Sequence, residues 1–168
     1  SVDYISSIKF FSLDRPSLVF PLFTSDFLGS RISFQIERDD SPYRNVVLKS
    51  KVGKMPPFSF GDFNNDGYGD IVVIEQAKSN DKYPLYILYG NGEKRNIRQE
   101  ITYLNFNGRP DKLFISDLNA DGLNDLLVVT DKGYNIVLNI GGSTMDNGDL
   151  KTEFSMGTSN TSLFNSNC

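Results

Sequence analysis

The sequence predicts an all-β fold made of repeated antiparallel sheets with about four strands each. Three observations support this prediction: one motif occurs twice with similar flanks, a continuous apolar run follows each copy, and the composition favours strands. The 168 residues include 13 Phe and 8 Tyr, and 39% of them are apolar. Aromatic and β-branched residues are enriched in strands, and this length and apolar content allow one domain with a sizeable core.

An internal repeat organises the middle of the chain. Residues 61–74 recur 55 positions later as residues 116–129, with identities at both outer aspartates, the asparagine, the central Asp-Gly pair and one valine. A short apolar stretch precedes each copy. A second strand-like run follows, over 85–89 in one copy and 134–140 in the other, and ends in a glycine-rich turn. The repeat therefore predicts two equivalent structural units.

The runs that follow the motif predict strands that are covered on both faces. Residues 71–74 and 126–129 are continuously apolar, whereas a half-exposed strand would alternate between apolar and polar residues. A stack of sheets arranged radially covers such strands from both sides. An alternating stretch over 101–106 then leads to the next copy, so that each unit is expected to hold four strands.

The first part of the chain resembles a degenerate copy of the same unit. Residues 17–20 read as the apolar strand, with lead-in strand 10–12 before it and a further strand over 32–36. The loop between lead-in and apolar strand has shortened to 14–16. The predicted organisation is a degenerate unit without a metal loop (1–55), two units with metal loops (56–110 and 111–157) and a polar tail (158–168).

The end of the chain reads mainly as loop or tail, because it is rich in Gly, Ser, Thr and Asn. A last outer strand is expected around 153–156. Asn160 begins an Asn-Thr-Ser sequon, which is a glycosylation site only in a secreted protein. The single cysteine, Cys168, is either a free thiol or half of a disulfide to sequence outside the chain, and both readings stay open.

Each repeated motif has the donor pattern of a calcium-binding loop. Calcium takes about 6–8 oxygen ligands, and a tight loop offers alternate side chains to its interior, here at positions 1, 3, 5 and 9. Position 7 is expected to give a backbone carbonyl, and the glycine at position 6 suits a turn. The candidate ligands are Asp62, Asn64, Asp66, Tyr68 and Asp70 in the first loop, and Asp117, Asn119, Asp121, Leu123 and Asp125 in the second.

Other interpretations of the loops fit the sequence less well. Plain Asp/Asn-Gly hairpin turns would not require the same acidic positions twice. An EF-hand needs a Glu at loop position 12 and flanking helices, whereas Val73 and Val128 occupy that position within apolar runs. Magnesium prefers rigid octahedral geometry and keeps its waters. Two calcium ions would bring the formal net charge from −4 to zero.

Composition excludes several classes of function. Histidine is absent, which removes Ser-His-Asp and Cys-His catalysis and histidine-bound zinc. The negative charge and the lack of any Lys/Arg run longer than two argue against a nucleic-acid surface. No run approaches the roughly 18 apolar residues of a membrane span. Because the chain begins at Ser1 without a recognisable signal peptide, we expect a processed or internal piece of a longer protein.

The motif residues resemble FG-GAP (VCBS-type) repeats. The resemblance lies in 61–67 followed by 70–73, and in the later Leu-Tyr-Gly-Asn-Gly at 88–92, while the first unit departs from it. In this family such repeats are four-stranded blades of β-propellers, usually seven per ring, in integrin α chains and other secreted or surface proteins. The resemblance implies about three blades of a larger propeller, completed by other blades or chains, with calcium stiffening the rim.

The function that this resemblance implies is a non-catalytic extracellular adhesion or protein-binding module that is stabilised by calcium. An architectural subunit of a large surface assembly and a lectin-like, carbohydrate-binding propeller are the alternatives. The lack of Trp argues against a lectin, and Tyr86 and Tyr89 are expected to pack between sheets. An enzyme is least favoured, because the acid pair Asp39-Asp40 lies in a solvated turn sequence.

Overall fold

The regular structure of the described residues is entirely β. The computed structural model describes residues 6–10, 14–26, 29–36, 44–50, 55–75, 82–92, 98–141, 145–146, 149–150 and 154–156. These ranges form three four-stranded antiparallel sheets and one two-stranded ribbon. They contain no helix, and therefore none that is long and apolar enough to cross a membrane. The predicted all-β class and the four strands per sheet are confirmed.

The strands of each sheet follow one another along the chain. The first sheet contains β1 (Ser6–Ile8), β2 (Ser17–Asp26), β3 (Gly29–Ile36) and β4 (Arg44–Ser50). The second contains β5 (Phe58–Gly61), β6 (Asp70–Ile74), β7 (Tyr83–Tyr89) and β8 (Arg98–Leu104). The third contains β9 (Pro110–Ser116), β10 (Asp125–Thr130), β11 (Gly133–Asn139) and the outer strand β14 (Phe154–Met156). Between β11 and β14 along the chain, β12 (Met145–Asp146) and β13 (Asp149–Leu150) form the separate two-stranded ribbon.

The two repeated motifs occupy the same place in two sheets. Gly61, where β5 ends, pairs with Asp70, where β6 begins, and Ser116 at the end of β9 pairs with Asp125 at the start of β10. Each motif is therefore the connection between the first two strands of its sheet. Because the strands that flank the two motifs pair in the same register, each motif position lies at the same place relative to its own sheet.

The second sheet is covered on both faces. Alternate β6 residues Ile71 and Val73 pack into one core cluster with Val19, Ile32 and Phe34 of the first sheet. The intervening β6 residues, Val72 and Ile74, belong to a second core cluster shared with the third sheet. The third-sheet residues of that cluster are Leu113, Leu126, Val128 and Val137. All four β6 side chains are at most 1% exposed. The continuous apolar run therefore reflects burial on two sides, as predicted.

The first sheet begins earlier than the sequence predicted. The strand that pairs with the start of β2 is Ser6–Ile8, and Phe10 follows it as a fully buried core residue. Of the strand expected over 10–12, residues 11 and 12 lie outside the described residues. Phe10 stands in the position that Phe63 occupies after β5, because Ser7 and Phe60 pair with equivalent β2 and β6 residues. Its aromatic ring packs in the core between two sheets although the residue is not part of a strand. Local sequence cannot distinguish an apolar residue in a strand from one that is buried just after a strand.

The remaining predictions about the chain differ in outcome. The outer strand expected around 153–156 is present as β14, which pairs with β11. Asp39, Asp40, Asn160 and Cys168 lie outside the described residues. The arrangement of the sheets as propeller blades, and the number of blades, stay predictions.

Candidate metal centre

The first position of each loop organises the turn through both carboxylate oxygens. Asp62 accepts the N–H groups of Asp66 and Gly67 at 3.2 and 2.8 Å. Asp117 accepts those of Asp121 and Gly122 at 3.1 and 2.9 Å. A carboxylate that accepts backbone N–H groups of the following turn holds an irregular loop in one conformation. Both loops therefore have the same local fold.

Positions 3 and 5 continue the same pattern. Asn64 accepts the N–H of Asp66 through Oδ1 at 3.2 Å and donates from Nδ2 to Asp66 Oδ2 at 2.8 Å. Asp66 in turn accepts the N–H of Tyr68 at 2.8 Å. The second loop repeats all three bonds at 3.1, 2.8 and 2.8 Å, through Asn119, Asp121 and Leu123.

Two positions in each loop have positive φ. Gly67 and Gly122 both have φ 88°, which suits glycine, whereas Asn65 and Ala120 have φ 59° and 62°. The left-handed conformation costs a non-glycine residue about 1–2 kcal/mol, and asparagine tolerates it better than alanine. The N–H of the next residue, Asp121, bonds to side-chain oxygens of Asp117 and Asn119, which holds the backbone that follows Ala120 in this conformation. The second loop therefore stores local strain at the same point as the first.

Position 9 of each loop is buried, unlike positions 1, 3 and 5, which we call the rim positions. Asp70 and Asp125 are both fully buried. Asp70 accepts the N–H of Phe63 at 2.7 Å and that of Gly90 at 3.0 Å. Asp125 makes the equivalent bonds, accepting Leu118 N–H and Asn139 N–H, both at 2.8 Å. Each aspartate thus ties the start of its loop to the end of the third strand.

Burial and neighbouring charge make Asp70 unusual. Burial, with a smaller contribution from repulsion by Asp66 and Asp62, raises the pKa of Asp70 from its ordinary 3.8 to about 8, against the lowering effect of the Phe63 and Gly90 N–H groups. A nearby cation would relieve this repulsion and favour the ionised form. In the first loop, the carboxylates of Asp62 and Asp66 therefore lie close enough to Asp70 to affect its pKa.

The donor set fits calcium, although the loops are not closed cages. All side-chain donors proposed for the site are carboxylate or amide oxygens, which are the ligands of hard cations. Within the described ranges, no three acidic, His or Cys side chains converge into a metal-holding group. The Asn64–Asp66 side-chain bond occupies one lone pair of a candidate ligand oxygen, Asp66 Oδ2, and leaves another for a cation. The same holds for its Asn119–Asp121 counterpart.

Two asparagines that the sequence did not indicate connect the loops across sheets. Asn124 Nδ2 donates to the backbone carbonyl of Asp62 at 3.0 Å. Asn139, which is fully buried, donates from Nδ2 to the carbonyl of Phe63 at 2.8 Å. At the junction of the first two sheets, the Gly69 N–H donates to Lys9 O at 3.0 Å. The first loop, which belongs to the second sheet, is therefore held by the first sheet and by the third.

Gly90 occupies in the second sheet the position that Asn139 occupies in the third, since their N–H groups bond to Asp70 and Asp125. A Cβ added at Gly90 would come within 2.5 Å of Gly69 O and 2.9 Å of Phe10 O. Such distances leave no room for a side chain. Gly90 is therefore required by the close approach of two backbones, that of its own sheet's loop at Gly69 and that of the first sheet at Phe10.

Asn139→Ala is expected to destabilise the protein by about 1–3 kcal/mol, because it leaves the Phe63 carbonyl without its buried donor. Urea denaturation measures the loss of free energy of unfolding. Asn124→Ala is the matched control, since its bond to Asp62 O is only partly buried, and we expect a smaller loss. Equal losses for both variants would contradict a dominant role for the buried bond.

The metal-free protein is expected to lose stability as pH rises from about 4 to about 8. Over this range the unfolded chain has lost the Asp70 proton, whereas the folded chain keeps it because its pKa is about 8. A folded state that binds more protons becomes less stable as pH rises. Urea denaturation in the presence of a chelator checks this. Asp70→Asn should flatten the pH dependence relative to wild type, and an unchanged dependence would contradict it.

Comparison with known proteins gives no relative. No protein-family model matches the chain, and neither the curated proteins nor the solved structures contain a significant match.

Proposed function

We propose that the chain is a non-catalytic, extracellular adhesion or protein-binding module, built of FG-GAP-type propeller blades and stabilised by calcium. The observation that carries the proposal is the equivalence of the two loops. They share seven hydrogen bonds of the same type. They also join the same two strands of successive four-stranded sheets.

Calcium in each loop would neutralise the carboxylates and cross-link the turn. The residues that would hold it are Asp62, Asn64, Asp66, the Tyr68 carbonyl and Asp70, and in the second loop Asp117, Asn119, Asp121, the Leu123 carbonyl and Asp125. Asp70 and Asp125 already accept two backbone N–H groups each. The same carboxylate would then join the metal, the loop and the third strand, so that calcium stiffens the rim of the stack.

The surroundings of the first strands favour binding over catalysis. An open groove of about 530 Å³ lies between β5 and β9, and its floor is mainly apolar. Asp111 and Lys112 lie at its edge, where they offer one charge of each sign. The groove has no pair of carboxylates for general acid–base chemistry. Such a groove suits a protein or glycan ligand that binds through apolar packing and a few polar contacts.

A binding assay with the full chain tests this function. The chain would be applied, in calcium and again in chelator, to an array of glycans and to a panel of purified extracellular-matrix proteins. We expect binding in calcium that is lost in chelator and weakened in the double variant Asp66→Ala/Asp121→Ala. A hydrolase or oxidoreductase activity that is lost on substitution of a groove acid such as Asp111 would contradict the proposal.

A further inference from the structure

The third sheet presents an apolar face on the side away from the second sheet. Its six side chains come from three adjacent strands, and Leu127 pairs with both Phe114 and Ile136 across them. Phe114 is 51% exposed, and the others are half-buried. We call this set the third-sheet face; it consists of Phe114, Leu127, Val129, Tyr134, Ile136 and Leu138.

The repeat shows what covers such a face elsewhere in the chain. The equivalent residues of β6 and β7 are at most 1% exposed, because the third sheet packs on them. Val72 pairs with Ile87 in the second sheet as Leu127 pairs with Ile136 in the third. The equivalent buried residues are Val72, Ile74, Leu85, Ile87 and Tyr89. The third-sheet face thus has the composition of a surface that takes a further sheet.

The first sheet carries the other half of the same interface. Val19 and Val72 occupy equivalent strand positions, and each packs on the sheet that follows its own. The residues on either side of Val72 face the preceding sheet, and their β2 counterparts are Leu18 and Phe20. Leu18 is 39% exposed. The outer face of the third sheet therefore resembles the face that, in the second sheet, is covered by the next sheet along the chain. The outer face of the first sheet resembles the face that, in the second sheet, packs on the preceding sheet.

We propose that two copies of this chain associate head to tail, with the third-sheet face of one copy docked on the Leu18 side of the first sheet of the other. The two surfaces differ, so the contact is heterologous, and such contacts close into rings when the rotation allows. Two copies supply six sheets, within the range of about 4–8 found in closed radial stacks. A closed pair buries the third-sheet face against Leu18 and Phe20, beside the polar β3 residues Ser33 and Gln35. The argument is independent of calcium binding.

Analytical ultracentrifugation of the full chain tests the association directly. Each chain has a mass of 18.9 kDa, so the head-to-tail pair is expected at twice that mass, in calcium and at micromolar concentration. A chain that remains monomeric up to the highest soluble concentration would overturn the proposal. The occupant of the third-sheet face would then be a sheet of another chain or of a longer form of this one.

A pair of complementary variants tests the head-to-tail geometry. Phe114→Arg and Leu18→Arg each place a charge on one of the two surfaces, and each alone is expected to be monomeric. An equimolar mixture should form a 1:1 pair, because one intact interface remains between an unmodified third-sheet face and an unmodified first sheet. A mixture that stays monomeric, or a Phe114→Arg chain that still dimerises, would overturn the proposal.

Ile101→Arg is the matched control. Ile101 lies on β8, the outer strand of the middle sheet, and is 45% exposed, so its substitution adds the same charge at similar exposure away from both end surfaces. This variant should dimerise as wild type does. Circular dichroism and calcium binding of every variant show that its sheets are intact. If Ile101→Arg also abolished dimerisation, the added charge alone would explain the loss, and the two assigned surfaces would be wrong.

Discussion

Asp70→Ala is expected to destabilise the protein by about 2–4 kcal/mol in chelator, where no metal contributes. Asp70 is fully buried and accepts the N–H groups of Phe63 and Gly90. Each of the two buried donors left without an acceptor costs about 1–3 kcal/mol. Urea denaturation at about pH 4 measures the change in the free energy of unfolding, because at that pH the unfolded chain still binds the Asp70 proton in part and keeping it costs the folded chain little.

Two control variants separate this structural role from metal binding. Asp70→Asn keeps one acceptor oxygen, so we expect roughly half of the loss. Asp66→Ala removes an exposed carboxylate whose bonds stay within the loop rim, so in chelator it should change stability by less than about 1 kcal/mol. If Asp66→Ala and Asp70→Ala were equally damaging in chelator, the distinction between rim and buried positions would be wrong.

Calcium is expected to stabilise the folded chain by about 5 kcal/mol. A ligand that binds only the folded state adds about 2.7 kcal/mol per site at one hundred times its dissociation constant, and the two loops are equivalent. For a chain of this size, 1 kcal/mol corresponds to about 2–4 °C in Tm, so the shift between calcium and chelator should be about 10–20 °C. Differential scanning calorimetry in both conditions provides the measurement.

The double variant Asp66→Ala/Asp121→Ala is the control for that shift. It removes one rim carboxylate from each loop and keeps the buried Asp70 and Asp125, so it should fold in chelator and gain little from calcium. Magnesium at the same concentration should shift wild type less, because magnesium gives up its waters reluctantly. A calcium shift of wild-type size in the double variant would place the ions outside the loops.

Local sequence was sufficient to predict most strands and the positions of the two acidic turns between them, whereas calcium binding by these turns stays a prediction. The alternation of acidic and amide residues before a glycine indicates a side-chain-organised turn, and the two copies support each other at 55-residue spacing. The apolar runs of β6 and β10 predicted coverage from both sides, and the core clusters confirm this for β6. The turns and strands depend mainly on residues that are close together in the chain, and their pattern can be read from a single sequence.

Contacts between sheets could not be predicted in the same way. Asn124 and Asn139 bond to carbonyls 62 and 76 residues away, and nothing in their immediate sequence identifies those partners. The first sheet shows a related difficulty. Phe10 reads as part of a strand, but it is buried beyond the end of β1. In each case the residue type is set by a neighbouring sheet rather than by its own strand.

Calorimetric titration of the metal-free chain with calcium tests the central claim most directly. Wild type should bind two ions, Asp66→Ala and Asp121→Ala one each, and the double variant none. This result would assign one ion to each loop. Absence of binding to folded wild type, or a stoichiometry of two that persists in the double variant, would contradict the account and leave the loops as hydrogen-bonded turns.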